Sequence, residues 1–97
     1  MTAEETRALI ACLTHEDCTI RLWGAVYWCL GLTHDERTGL WAMGVYECEG
    51  ESPVFKRQLF SHSAPCKEAC MRHFLEDRYW EGRSFYEVAA EMSWVDL

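Results

Sequence analysis

The chain has 97 residues, with 16 Asp+Glu against 9 Lys+Arg and a formal net charge of −7. A hydrophobic fraction of 49% excludes intrinsic disorder, and the length allows a single domain over residues 1–97 with one modest core. The acidic balance argues against a general nucleic-acid binder, which needs a basic footprint to displace counterions, and no apolar run approaches a membrane span.

Thr2-Ala3-Glu4-Glu5 has the form of a capping box, and Leu9, Ile10 and Leu13 follow at helical spacing, which predicts a first helix near residues 3–13. Residues 19–32 are rich in β-branched and aromatic types. Gly24 and Gly31 weaken a helix there, so a strand is expected over Ala25–Leu32. After a polar turn at 33–39, a second strand is expected from Leu40 to Glu49. Gly50-Glu51-Ser52-Pro53 makes the next turn, and a third strand runs from Val54 to Phe60. Short links between consecutive strands favour an antiparallel meander.

Ser63-Ala64-Pro65 then predicts a helix, with Ser63 as N-cap and Gly82 just past its end at Glu81. Ser84-Phe85-Tyr86-Glu87 is a second capping box, and Phe85, Val88, Ala89 and Met92 repeat as an amphipathic stripe. The expected fold is therefore α+β in the order α-β-β-β-α-α: an N-terminal helix, a three-stranded antiparallel meander and two C-terminal helices.

The first residues are acidic and show no apolar signal-peptide core, so a cytoplasmic location is expected and the six cysteines are read as reduced. Cys12, Cys18, Cys29 and Cys48 sit among apolar neighbours, as core thiols do. Cys66, Cys70 and His73 fall at i, i+4, i+7 on one helix face, where His62 or Cys48 could complete a four-ligand zinc site. A zinc-stabilised regulatory module on Cys66, Cys70 and His73 is thus the alternative reading. The paired C-x-x-C knuckles usual for zinc are missing, so no metal or other cofactor is expected. No Gly-rich phosphate loop and no G-x-S-x-G elbow occurs, and an enzyme is not expected.

Charge and aromatic content point instead to an interaction protein. Residues 1–52 hold nine Asp+Glu against three Arg, leaving −6, whereas residues 53–97 hold seven acids against six bases, leaving −1. Asp35 and Glu36 mark one end of the meander, and Glu47, Glu49 and Glu51 the other. Such carboxylates can dock on a basic groove of another protein. Five Trp exceed what one small core hides, and Trp80 and Trp94, near the ends of the last helices, are the expected interface anchors.

Two resemblances bear on this reading. Residues 78–92, Arg78-Tyr79-Trp80-Glu81-Gly82-Arg83-Ser84-Phe85-Tyr86-Glu87-Val88-Ala89-Ala90-Glu91-Met92, resemble the helix-turn-helix entry of sigma-factor region 4 and of small phage transcription regulators. Only five residues follow, too few for a recognition helix, so the resemblance implies a phage or mobile-element origin rather than DNA reading. In size, acidity and aromatic content the chain is similar to small phage-encoded inhibitors of the anti-CRISPR kind. That likeness implies a host protein or protein–nucleic-acid complex as partner, blocked at a nucleic-acid groove or a protein interface. No direct nucleic-acid or membrane binding is expected, and self-association as a homodimer is compatible with it.

Overall fold

The computed structural model describes residues 1–95. Helix α1 (Ala3–Cys12) precedes four strands, β1 (Cys18–Leu22), β2 (Ala25–Asp35), β3 (Leu40–Cys48) and β4 (Phe55–Ala64). Helix α2 (Lys67–Glu76), the single-turn helix α3 (Phe85–Val88), a 3₁₀ turn at Ala89–Glu91 and a short strand β5 (Ser93–Val95) follow. The strands form one antiparallel sheet in the order β4-β3-β2-β1-β5.

The α+β class holds, but the three-stranded meander is overturned. The sheet has five strands, and the elements run α-β-β-β-β-α-α-β. The missed strand β1 joins β2 through a two-residue turn, Trp23-Gly24, with φ of 52° and 78°. Positive φ at both turn residues matches the right-handed twist of a tight hairpin, so Gly24 is turn chemistry rather than a weakened helix. Trp23 holds its unusual backbone because its indole N–H donates to Glu91 and the Arg83 guanidinium lies 4.9 Å from its ring centroid. Strand β5 closes the other side of β1, where the Thr19 hydroxyl donates to the Val95 carbonyl.

Two helix ends also differ. β4 continues through Ser63 to Ala64, which displaces the N-cap of α2 to Cys66. α2 stops at Glu76 rather than Glu81, because Asp77 turns extended. Glu81 and Gly82 then form a second tight turn with positive φ, across which Trp80 and Arg83 exchange two backbone hydrogen bonds. Gly82 does need its left-handed conformation, but in a turn rather than at a helix end. Both capping boxes form as read: Thr2 with Glu5, and Ser84 with Glu87. In each, the backbone N–H of the cap holds the Glu carboxyl below its ordinary range.

The core lies between one sheet face and the helices. Ile20, Tyr27, Cys29, Met43, Val45 and Phe60 point inward, following the period-2 alternation of their strands. Leu9 and Leu13 cover them from the first helical segment, Phe74 and Cys70 from α2, and Phe85 and Val88 from α3. No helix among the described residues is long and apolar enough to cross a membrane.

Candidate functional site

The opposite face of the sheet has no helix over it among the described residues. Alternation places Trp28 and Leu30 of β2 there, with Ala42, Gly44 and Tyr46 of β3 and Phe55 at the start of β4. Phe55 is 44% exposed, stacks on Tyr46 at 4.6 Å and meets Trp28 edge-on at 6.1 Å. Gly44 serves this cluster: a Cβ there would lie 3.0 Å from the Tyr46 ring. The three aromatics so form a partly exposed apolar centre on this sheet face.

Acidic groups flank it. On one side Asp17 accepts from the Trp28 indole N–H at 3.0 Å and from the Gly31 backbone N–H at 2.9 Å. On the other, the link between β3 and β4 carries Glu49 and Glu51, and Glu51 pairs with Arg21 of β1. These residues share a polar hollow of about 560 Å³ with Val26 and Cys48.

Of the residues singled out from sequence, Glu47, Glu49 and Glu51 line this one hollow, together with the bases Arg21 and Lys56, and the others lie elsewhere. Asp35 and Glu36 sit at the β2–β3 turn, where Asp35 accepts from the Arg37 backbone N–H. Glu47 points to the helix side and is engaged by Arg57 at 2.7 Å and Lys56 at 3.5 Å. The Arg57 hydrogen bond holds its carboxyl below the ordinary range. Trp94 is 39% exposed, but it pairs with inward-facing Ile20 at the sheet margin, away from the aromatic centre. Trp80 is 1% exposed and packs edge-on against Tyr27 at 5.1 Å, so it is a core residue with no surface to offer a partner. Trp28, Tyr46 and Phe55, none of them singled out from the sequence, are the aromatics the fold brings together on this face, with Phe55 the exposed one. The signal that could have found them was the alternation along β2 and β3.

The cysteine and histidine cluster does not converge. Cys70 is fully buried and donates to the His62 carbonyl, Cys66 is exposed, and the His73 ring packs on His62 at 3.9 Å while facing Asp77. Among the described residues, no three His, Cys, Asp or Glu side chains are arranged to hold a metal ion. Burial pushes the thiols of Cys18, Cys48 and Cys70 above their ordinary value and that of Cys29 up to about 12. These thiols stay neutral in the folded chain while those of the unfolded chain ionise near 9.0. Their stabilisation is therefore complete below that value and is lost progressively as pH rises from it toward the folded-state value, about 12 for Cys29. The urea midpoint should fall between about pH 8 and about pH 10.5, and less steeply in Cys29→Ala. Equal midpoints in the native chain would contradict burial of these thiols. At neutral pH, iodoacetamide should label exposed Cys66 well before Cys29 or Cys70.

No protein-family model, curated protein or solved structure matches this chain.

Proposed function

We propose that this chain is a small acidic docking protein that binds a basic surface of another protein through its open sheet face. The observation that carries the reading is the partly exposed Trp28–Phe55–Tyr46 cluster on a sheet face without a covering helix among the described residues, flanked by Asp17, Glu49 and Glu51. An apolar aromatic centre with a charged margin is the usual anatomy of a protein interface, and aromatic side chains are common anchors at its middle. The net charge of −7 favours a Lys/Arg-rich partner and steers its approach. By covering a basic groove such a protein acts as an inhibitor, as the small phage-encoded inhibitors it resembles in size and composition would.

The test is capture of partners from a native lysate with three proteins: the native chain, Phe55→Lys, and a control altered on the opposite side at Arg7. A specific partner should be retained by the native chain and the control and lost by Phe55→Lys. Its affinity should fall as salt rises, because the flanking charges are solvent-exposed. A partner retained equally by all three, or one whose affinity ignores ionic strength, would refute the reading.

A further inference from the structure

Another hollow, of about 200 Å³, opens beside the β1–β2 turn, on the side of the sheet to which Tyr27 points and away from the Trp28–Phe55–Tyr46 cluster. Trp23, Tyr27, Tyr79 and Trp80 form its walls and floor, and Arg57 and Glu81 stand at its mouth. Tyr27 and Trp80 are buried and meet edge-on, so the floor is closed, whereas Trp23, Arg57 and Glu81 are exposed. A volume below the roughly 300–1,000 Å³ of drug-sized pockets suits a molecule of few heavy atoms.

The two turns that frame this hollow are built from unusual residues. Trp23 and Glu81 are the only non-glycine residues with positive φ among the described residues, both at 52°, and both line the hollow. Each is the first residue of a two-residue turn whose second is Gly, a place that Asn, Asp or Gly fills at lower cost. Turn chemistry therefore accounts for neither side chain. Trp23 is fixed by Glu91 and Arg83, which makes it a rigid wall. Glu81 forms no ion pair among the described residues, so the fold itself gives no use for its carboxylate.

The charges at the mouth are opposite and are not paired with each other. Glu47 is shared by Arg57 and Lys56, which leaves one positive charge without a partner, and Glu81 supplies one free negative charge. Burial pushes the Tyr27 phenol up, and Glu47, Arg57 and Glu81 all act on it, so both signs of charge surround one hydroxyl at the floor. A simple cation entering here is opposed by Arg57, and a simple anion by Glu81. A molecule that carries both charges satisfies both side chains, with a short aliphatic stem against the aromatic walls.

We infer that this hollow binds a small zwitterionic amino acid, with its carboxylate at Arg57 and its ammonium at Glu81. The inference is independent of the sheet-face docking reading.

The test is an NMR titration of the full chain, following the Trp23 indole N–H, with glycine, β-alanine and 4-aminobutyrate, a series that varies the spacing of the two charges. At least one should saturate the shift, with half-saturation near about 1 mM, as expected of about five to seven heavy atoms. The methyl ester and the N-acetyl form of the best ligand, which each lose one charge, should bind at least about tenfold more weakly. Arg57→Gln should remove the preference for the free acid over the ester, and Glu81→Asn the preference for the free amine over the N-acetyl form. Asn tolerates the left-handed backbone better than Glu, so Glu81→Asn should melt no lower than the native chain while binding at least about tenfold more weakly. That combination separates lost binding from lost folding. No shift with any of the three up to about 50 mM overturns the inference. So does equal binding of the blocked forms, or native binding by Glu81→Asn.

Discussion

Trp80→Ala is expected to destabilise the fold by about 3–5 kcal/mol, whereas Trp94→Ala should change it by less than about 1 kcal/mol. The difference follows from position. Trp80 is the largest fully buried side chain and fills the space between Tyr27 of β2 and Tyr79, while Trp94 stands partly in solvent on β5. Removing the indole leaves a cavity at the junction of the sheet and the C-terminal segment, which short neighbouring elements cannot collapse around. Trp80→Phe should cost distinctly less. It keeps most of the apolar volume, and the indole N–H it removes has no acceptor among the described residues, so no hydrogen bond is lost. Urea denaturation of the three variants checks this ordering. Trp80→Ala with near-native stability would mean that this side chain does not occupy the core.

Gly31→Ala is the second large effect expected, with a loss of about 2–4 kcal/mol. The reason is steric and not conformational. A Cβ on Gly31 would lie 2.3 Å from the Glu16 carbonyl oxygen and 2.8 Å from its carbon, both backbone atoms that cannot swing aside. Here the link after α1 passes directly against β2: the Leu32 N–H donates to the Leu13 carbonyl at 2.8 Å, and the Gly31 N–H to the Asp17 carboxylate at 2.9 Å. A methyl group would push this link off the strand and break both bonds. The same displacement would move Asp17 away from the Trp28 indole, so the variant that loses stability should also disturb the aromatic centre of the sheet face. Thermal melting, with Trp fluorescence as a second readout, tests both consequences. Native stability in Gly31→Ala would refute the close approach.

The two glycines that sequence reading treated alike thus do different work. A Cβ on Gly24 would meet nothing within 4 Å among the described residues, so Gly24 is needed for its positive φ, whereas Gly31 is needed for the space its missing side chain leaves. Composition cannot separate these roles, because one is a property of the turn and the other of a neighbour 15 positions away in the chain.

Local signals were legible throughout. The capping boxes at Thr2 and Ser84 and the strand character of residues 25–32 and 40–48 depend on near neighbours in the chain, and the structure repeats them. Of the four thiols read as core from their apolar surroundings, Cys18, Cys29 and Cys48 are buried, while Cys12 is only half-buried and donates to Glu16. What local pattern could not decide was pairing. β1 exists as a strand because β2 and β5 lie beside it, and Ser93–Val95 becomes β5 because β1 offers it an unpaired edge. The same holds for the surface. Trp80 and Trp94 look alike as aromatic residues near helix ends, and only the packing of Tyr27 and Tyr79 sends one inside. By itself the sequence determined an acidic α+β chain with its two capping boxes, the strand-forming stretches of β2 and β3 and most of its core thiols, since propensity, capping and burial preference act over a few residues. The tertiary structure alone decided the fifth strand and the partly exposed Trp28–Tyr46–Phe55 face, since these depend on contacts between segments far apart in the chain.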